Sequence, residues 1–325
     1  MWSALSLTQL ALLPTAAFAA YSLREVGARN TLDWRIWLES NGQPVSFWHD
    51  VPLFPDEENH RVVNMVVEIP RWTDAKIELK RSEPLNPIFH DDKKKQPRFV
   101  ESVWPHKSYP FLYGSLPQTW ESPNFNHDFT NEPGDNDPMD VFDISGDPGY
   151  VGQIKQVKVL GGLALNDGGE TDWKVLAIDV HHPLSAFVNS FEDLEKYRPG
   201  LTKAYYDWFT YYKVARGDDV LPIVGDAYQD AAFMQGTIEE SHGFWQELVR
   251  GEVDSNEINY NQTSIKGLDS YVSKRGTTTA FGIPRQSSIL PPTPKPEQYD
   301  QWYYLDENFN LIQLEQTFRN PKGYT

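Results

Sequence analysis

The sequence predicts a mainly β fold with a few helices and an extended C-terminal tail. Three observations carry this prediction. Short runs rich in Val and Ile, or alternating with a period of two, recur between residues 34 and 180. Apolar residues at helical spacing follow between residues 201 and 250. From residue 252 onwards the chain becomes polar and Pro-rich, most clearly over residues 290–296.

The strand candidates come first along the chain. Asn41-Gly42 is a dipeptide that favours a tight hairpin turn, and it lies between strand candidates at 34–38 and 45–48. Residues 62–69 form a nearly continuous apolar run, which is typical of a buried strand. Further strand candidates lie at 75–80, 154–160 and 174–180.

Two helices are predicted after residue 200. The first would have an apolar stripe made of Leu201, Tyr205, Phe209 and Tyr212. The second would begin with Asp226 as its N-cap and end at Gly251. Its apolar face would consist of Met234, Ile238, Trp245 and Leu248.

The chain is predicted to have three parts. Residues 1–19 are uncharged and apolar and end in Ala17-Phe18-Ala19, the pattern of a probable signal peptide rather than of a membrane anchor. Residues 20–250 hold the regular elements, and residues 251–325 form a Pro-rich extension strapped to them. We therefore expect a secreted protein or one of the secretory pathway, with a cytoplasmic or mitochondrial location as the alternative.

Composition excludes several classes of function. The chain has 46 acidic against 29 basic residues and a formal charge of -17, which disfavours nucleic acid and anionic membranes as partners and favours cations. Its apolar fraction of 39% is enough for a sizeable core. With no cysteine there is no disulfide, thiolate zinc site or cysteine nucleophile. Any metal must be held by oxygen or imidazole.

The most informative segment contains Asp135, Asp137 and Asp140 within six residues. Three carboxylates this close repel one another unless they are solvated or share cations. The segment is therefore either a divalent-cation site or a solvated acidic loop. A calcium loop of the EF-hand type is excluded, because its sixth and twelfth positions would be Asp140 and Gly146 instead of Gly and Glu.

Other charged clusters accompany this segment. Asp167 and Asp172 lead into Lys174, and Glu68 is followed by Lys76 and Glu78 on a strand candidate, where an exposed ion pair is the alternative interpretation. Carboxylates that hold hard cations, next to donors for an anionic substrate, suit phosphoryl transfer to water. The further candidate donors are Arg98, Tyr109, Tyr113, Tyr212 and Lys213.

Several motifs resemble a known family. They are Asp135-Asn136-Asp137-Pro138-Met139-Asp140-Val141, Val67-Glu68-Ile69-Pro70-Arg71-Trp72, Gly169-Glu170-Thr171-Asp172-Trp173-Lys174, Phe99 after Arg98, Gly114 after Tyr113, and Trp208-Phe209 before Tyr212-Lys213. In their order along the chain, from about Asn30 to Val249, these motifs make the chain similar to the soluble family I inorganic pyrophosphatases of the eukaryotic type found in fungi and animals.

The resemblance implies an OB-like barrel of five main strands with peripheral helices, so that residues 20–250 would be the catalytic domain. It implies hydrolysis of pyrophosphate to two phosphates with three to four Mg²⁺ ions. Mn²⁺, Zn²⁺ or Co²⁺ would be substitutes and Ca²⁺ an inhibitor. A homodimer is also expected.

The same resemblance assigns roles to individual residues. Asp137 would deprotonate the attacking water that bridges two metals, and Tyr113, Lys76 and Arg98 would also be catalytic. The metal ligands would be Glu68, Glu78, Asp135, Asp137, Asp140, Asp167 and Asp172. The substrate-binding residues would be Lys76, Arg98, Tyr113, Lys174, Tyr212 and Lys213, with Tyr109 in a supporting position.

Three positions depart from the family pattern, at Lys107, Leu112 and Gly168, and none of them is a proposed ligand. Two other functions stay open. A broader phosphohydrolase would act on polyphosphates or nucleotides, because carboxylates do not choose sharply among divalent ions. A non-catalytic homologue would bind divalent cations or phosphate on the same scaffold.

Overall fold

The computed structural model describes residues 21–312. The signal-peptide prediction for residues 1–19 lies outside the described residues, as does the end of the tail from residue 313. The strands are β1 (Tyr21–Ala28), β2 (Arg35–Ser40), β3 (Gln43–Val45), β4 (Val62–Ile69), β5 (Ile77–Leu79), β6 (Ile88–His90), β7 (Asp92–Lys93), β8 (Gln96–Pro97), β9 (Ser102–Val103), β10 (Leu112–Ser115), β11 (Asp140–Asp143), β12 (Ile154–Asn166), β13 (Thr171–Asp179), β14 (Gln229–Asp230), β15 (Ser288–Leu290) and β16 (Trp302–Tyr303). The α-helices are α1 (Phe191–Tyr197), α2 (Leu201–Tyr211), α3 (Ala231–Arg250) and α4 (Thr277–Ala280).

Five strands close into a ring. β4 pairs with β10, β10 with β11, β11 with β13, β13 with β12, and β12 again with β4. The pairing of β11 with β13 is parallel, and the other four pairings are antiparallel. The prediction of a mainly β fold with an OB-like barrel of five strands is therefore confirmed.

Both faces of β4 are buried, which explains its continuous apolar run. Val63, Met65 and Val67 join one core cluster, whereas Val66 between them joins the larger one. This alternation follows from the period of two along a strand. The bounds of β4 agree with the predicted strand at 62–69.

A second sheet has the order β15-β1-β2-β6-β5, with β3 paired to β2. The predicted turn at Asn41-Gly42 is present, and both residues have the positive φ values, 54° and 72°, that a tight hairpin requires. The second arm is shorter than predicted and ends at Val45. The Ser46 hydroxyl accepts hydrogen bonds from the next backbone N–H groups, and the chain turns instead of extending to residue 48.

The helices follow the predicted stripes, with one correction. Gly251 ends α3 in the left-handed conformation (φ 70°), as expected. Asp226, however, is not the N-cap: Asp230 is, and its side chain accepts a hydrogen bond from the Phe233 N–H. The chain stays extended up to residue 230 because β14 pairs with β12. Asp226 itself has a positive φ of 53° in a short 3₁₀ turn.

The described part of the tail forms strand pairs in two places. β15 pairs in parallel with β1, and β16 pairs in parallel with β9. Between them the Tyr299 ring packs 5.1 Å from the ring of Phe99. Over residues 21–312 none of the helices combines the length and the apolar character that crossing a bilayer requires.

Candidate active site

The barrel strands and the end of α2 converge on one cavity of about 480 Å³. All the site residues predicted from the sequence lie on its wall except Tyr109, which is 3% exposed and packs its ring 5.1 Å from that of Tyr113. The predicted residues on the wall are Glu68, Lys76, Glu78, Arg98, Tyr113, Asp135, Asp137, Asp140, Asp167, Asp172, Lys174, Tyr212 and Lys213.

Close contact between β10 and β4 sets one wall. A Cβ atom on Gly114 would overlap the carbonyl oxygen of Val66, so only glycine fits where the two strands meet. One residue further on, the Ser115 hydroxyl donates to Oε1 of Glu68 at 2.9 Å. The backbone N–H of Leu79 donates to the same oxygen at 3.2 Å. Glu68 is therefore buried in a fixed orientation.

The loop before β11 brings the acidic residues together. Asn136 adopts a left-handed conformation (φ 71°), and the Asp137 N–H donates to Oδ1 of Asp135 at 3.0 Å. Burial, followed by repulsion from Asp137, Asp172 and Asp140, raises the pKa of Asp135 well above its usual range. The loop thus concentrates negative charge at one point of the cavity.

Asp137 has a counter-ion that the sequence did not reveal. Nη1 of Arg81 lies 3.0 Å from Oδ1 of Asp137. Burial and the nearby Glu78 raise the pKa of Asp137 to about 7, while the Arg81 guanidinium acts in the opposite direction. A carboxyl group with a pKa near neutrality is suited to accept and release a proton.

Three carboxylates form a compact group that could hold a metal ion. One oxygen each of Glu121, Asp135 and Asp172 lie within 4.8 Å of one another. Oε1 of Glu121 accepts a hydrogen bond from the Trp173 N–H at 2.8 Å, whereas Oε2 is buried with no hydrogen-bond partner in the described part of the chain. Buried acceptors without a donor, in an all-oxygen set, fit a hard divalent cation.

Lys174 joins two of the predicted metal ligands. Its ammonium group donates to Asp140 and to Asp172, and the Tyr113 hydroxyl donates to the same oxygen of Asp140. Strand β13 places Asp172 and Lys174 on the same side, as its period of two requires. Burial alone would lower the pKa of Lys174, but Asp140 and Asp172 raise it well above its usual range.

The remaining cationic groups line the cavity from three directions. Lys76 pairs with Glu78 at 2.9 Å, and Nη1 of Arg98 lies 2.9 Å from Oδ2 of Asp91. Lys213 pairs with Asp167. The last predicted donor, Tyr212, stacks on Trp208 with ring centroids 4.4 Å apart, which fixes its ring at the end of α2.

This arrangement can bind divalent cations through its carboxylates and phosphoryl oxygens through its cationic and hydroxyl groups. Carboxylates hold hard cations through oxygen, and Lys, Arg and Tyr donate hydrogen bonds to anionic oxygens. Both sets line the same cavity, so a cation and an anion can share it.

Four contributors were missed by the sequence analysis: Arg81, Asp91, Ser115 and Glu121. Arg81 lies two residues after the end of β5, outside the strand, so the period of two does not predict the direction of its side chain. Glu121 lies in a loop beside Trp120, 14 residues before Asp135, with no charged motif around it. Only the folded chain shows that the Trp173 backbone N–H holds Glu121 against Asp172.

Comparisons with known proteins agree with this site. The family model described as inorganic pyrophosphatase matches residues 65–246. An inorganic pyrophosphatase of Kluyveromyces lactis is 43% identical over 289 residues, which cover 88% of this chain and 98% of that protein. Among solved structures, the inorganic pyrophosphatase of Schistosoma japonicum matches with a TM-score of 0.79 and 35% identity, over 87% of this chain and 99% of that chain.

A second solved structure was determined with a ligand. It is the N-terminally truncated vacuolar soluble pyrophosphatase of Trypanosoma cruzi in complex with PPi, which matches with a TM-score of 0.66 and 33% identity. The match covers 76% of this chain and 99% of that chain. The family-model match, the fungal relative and the barrel with its cavity together lead to one conclusion: the chain belongs to the inorganic pyrophosphatase family.

Proposed function

We propose that this chain hydrolyses inorganic pyrophosphate to two phosphates with the help of divalent cations. The observation that carries the proposal is that the acidic and basic residues line one cavity of about 480 Å³. Family membership and the similarity to a pyrophosphatase structure in complex with PPi support pyrophosphate as the substrate.

The residues that would hold the cations are carboxylates. Asp135 and Asp172 belong to the compact group with Glu121, and the other candidates in the cavity are Glu68, Glu78, Asp137, Asp140 and Asp167. Divalent cations there would neutralise phosphoryl oxygens and lower the pKa of the attacking water. We propose Mg²⁺ as the natural cation, with three to four ions in the presence of substrate, Mn²⁺, Zn²⁺ or Co²⁺ as substitutes and Ca²⁺ as an inhibitor.

The basic and hydroxyl groups of the cavity would orient the substrate. Lys76, Arg98 and Lys174 approach from three different strand regions, and Tyr113, Tyr212 and Lys213 add further donors. Donors spread around one cavity can bind the oxygens of both phosphoryl groups and stabilise the charge that develops on the leaving phosphate. Tyr109 would support Tyr113 from behind the wall.

Asp137 would act as the general base. It accepts one proton from the water that attacks a phosphorus atom, the new P–O bond forms, and the bond from that phosphorus to the bridging oxygen breaks. The Arg81 contact uses Oδ1 of Asp137 and leaves Oδ2 to accept the proton. The step consumes one water and leaves two phosphates.

The first test is phosphate release from pyrophosphate by the purified chain with Mg²⁺, with Ca²⁺ and with a chelator. Release that requires Mg²⁺ and is suppressed by Ca²⁺ is expected. Comparing tripolyphosphate and ATP under Mg²⁺, Mn²⁺, Zn²⁺ and Co²⁺ then distinguishes a pyrophosphatase from a broader phosphohydrolase. A protein that is folded by circular dichroism but releases no phosphate under any metal would contradict the proposal and favour a binding homologue.

We also propose a homodimer. An exposed aromatic patch consists of Trp104, Trp302 and Tyr304, which are 56%, 36% and 43% exposed. Exposed aromatic clusters are typical of protein interfaces. Light scattering after gel filtration should give the mass of two chains, and Trp302→Ala should shift it towards one. Phe187→Ala, which removes an exposed ring elsewhere, is the control.

Secretion stays a proposal that rests on the sequence of residues 1–19. It predicts a mature N-terminus close to residue 20 and makes Asn261-Gln262-Thr263 a glycosylation acceptor. N-terminal sequencing of the native protein, together with its electrophoretic mobility before and after glycosidase treatment, tests both. An intact Met1 in a cytosolic extract would contradict secretion and favour the cytoplasmic alternative.

A further inference from the structure

We propose that residues 256–259, in the segment after α3, act as a clamp that positions Asp137 for the reaction, holding Asn136 on one side and Arg81 on the other. The inference rests on the proposed function, in which Asp137 accepts a proton from water. The clamp lies beyond residues 65–246, where the family model matches. Through this clamp the C-terminal extension would help to position an active-site residue.

The first arm of the clamp holds the residue before Asp137. Nδ2 of Asn136 donates to the carbonyl oxygen of Asn256 at 2.9 Å. Oδ1 of Asn136 accepts from Nε1 of Trp120 at 3.0 Å, and its backbone N–H donates to the Glu121 carbonyl at 2.9 Å. Because both the oxygen and the nitrogen of its side-chain amide are hydrogen-bonded, and its φ is 71°, the side chain and backbone of Asn136 are held in a single orientation. That orientation sets the direction in which the backbone continues to Asp137.

The second arm holds the backbone of Arg81, the residue whose side chain is the counter-ion of Asp137. The backbone N–H of Asn259 donates to the Arg81 carbonyl at 2.8 Å. Nδ2 of Asn86 donates to the same Arg81 oxygen at 3.2 Å and to the Asn259 carbonyl at 3.0 Å, which ties the two backbones together. From this fixed backbone, Nη1 of Arg81 reaches Oδ1 of Asp137 at 3.0 Å.

The middle of the clamp is held in place by the burial of Ile258. Ile258 is 4% exposed and belongs to the larger core cluster. The Asn259 carbonyl is also bonded by Nε2 of His49 at 3.2 Å. Asn256 and Glu257 both have positive φ values, 48° and 69°, so the backbone turns sharply just before Ile258, and Glu257 reaches the wall of the cavity. One short segment thus contacts both Asn136, next to Asp137 in the loop, and the backbone of Arg81, whose side chain pairs with the Asp137 carboxylate.

Loosening the clamp is expected to affect turnover and not substrate binding. Small displacements of a catalytic group cost large factors in rate even when the substrate still binds. The phosphate-binding residues Lys76, Arg98 and Lys174 lie on other segments, with bonds of their own to Glu78, Asp91 and Asp140. Loosening the clamp should therefore lower kcat and leave KM for pyrophosphate nearly unchanged.

The test compares two buried isoleucines of the same C-terminal extension. Ile258→Ala removes the anchor of the clamp, and Ile283→Ala removes a residue of similar burial, 6% exposed, that packs in a separate cluster with Trp37 and Leu85. We expect Ile258→Ala to reduce kcat about tenfold with KM within about twofold. Ile283→Ala should cost similar thermal stability with an unchanged kcat.

Hydrogen exchange gives a readout that needs no turnover. Amides in a peptide covering residues 133–141 should exchange about tenfold faster in Ile258→Ala than in wild type, and at the wild-type rate in Ile283→Ala. Equal exchange in all three proteins, or equal acceleration in both variants, would overturn the clamp. A wild-type protein that releases no phosphate would refute the proposed function, whereas the exchange measurement would still decide on the clamp.

A second pair of variants avoids the core. Asn136→Gly tolerates the positive φ and removes the side-chain bonds to Asn256 and Trp120, and Asn131→Gly makes the same change at an exposed loop residue with φ 58°. We expect a lower kcat for Asn136→Gly alone, and no further loss when it is added to Asp137→Asn. Equal kcat values for the two glycine variants, or a full further loss in the Asp137→Asn background, would contradict the positioning role.

Discussion

Replacing Glu121 with glutamine should stabilise the protein in the absence of divalent cations, and excess Mg²⁺ should cancel most of that gain. Glu121 shares a compact group with Asp135 and Asp172, with ligand oxygens within 4.8 Å. Two unit charges at that distance repel by roughly 3.5 kcal/mol at an effective dielectric constant of about 20. Glutamine keeps the shape and the acceptor for the Trp173 N–H but removes one of the charges.

The stability gained by removing the Glu121 charge is smaller than the sum of its repulsions with Asp135 and Asp172. Burial and the neighbouring carboxylates raise the pKa of Glu121, Asp135 and Asp172, so part of the repulsion is already relieved by bound protons, and Lys174 offsets more of it. We expect Glu121→Gln to raise the free energy of unfolding by about 1 to 2 kcal/mol in the presence of a chelator. In excess Mg²⁺ the variant would lack one proposed ligand, and a tenfold weaker affinity would remove about 1.4 kcal/mol of the Mg²⁺-dependent stabilisation, which brings its free energy of unfolding close to that of wild type.

The assay is urea unfolding followed by tryptophan fluorescence, in EDTA and in Mg²⁺. Glu170→Gln is the matched control, because it makes the same charge change at an exposed position of the loop between β12 and β13. The control should stay within about 0.5 kcal/mol of wild type in both buffers. A Glu121→Gln protein that is destabilised equally in EDTA and in Mg²⁺ would refute the argument and make Glu121 a structural partner of the Trp173 backbone.

Three further predictions concern the base, the substrate and acid stability. Asp137→Asn should lower turnover by roughly 10² or more while calorimetry still detects Mg²⁺ binding, with Asp128→Asn as an exposed control; unchanged turnover would exclude Asp137 as the base. Arg98→Ala should raise KM for pyrophosphate because a phosphate donor is lost, and a change confined to the melting temperature would make Arg98 structural. Burial lowers the pKa of His49 to about 3, and its Nδ1 accepts from Nε1 of Trp245 at 2.9 Å. Because the unfolded chain takes up this proton near pH 6.5 and the folded chain does not, stability should fall by about 2 kcal/mol between pH 7 and pH 5, and His49→Gln should lose this part of the pH dependence in urea unfolding.

The fold was largely predictable because its strands follow local patterns. The run at 62–69 and the alternation around Ile77 need only the period of two to be recognised, and both are strands. Two predicted elements begin or end at the wrong residue. Asp226 has the composition of an N-cap, but pairing of β14 with β12 keeps the chain extended until Asp230. The hairpin arm ends at Val45 because of the hydrogen bonds that the Ser46 hydroxyl accepts.

The site was predictable where its residues belong to motifs. The segment from Asp135 to Asp140 and the pair Asp172 and Lys174 carry their spacing in the sequence, and the structure places them on one cavity. Tyr109 lies behind the wall, a position that sequence spacing does not distinguish from the wall itself. Glu121 and Arg81 carry no motif, and each meets its acidic neighbours only across the folded barrel.

By itself the sequence determined the strand and helix patterns and the family, which has a recognisable order of motifs. It also determined that any metal ligands are oxygen or imidazole groups, because the chain has no cysteine. The tertiary structure decided which charges meet. Arg81 and Asp137 are 56 residues apart along the chain, and Asn136 and Asn256 are 120 apart. Such pairs form because closing the barrel and burying Ile258 bring distant backbones into contact. Local periodicity carries no information about them, because it reflects only which face of an element is buried.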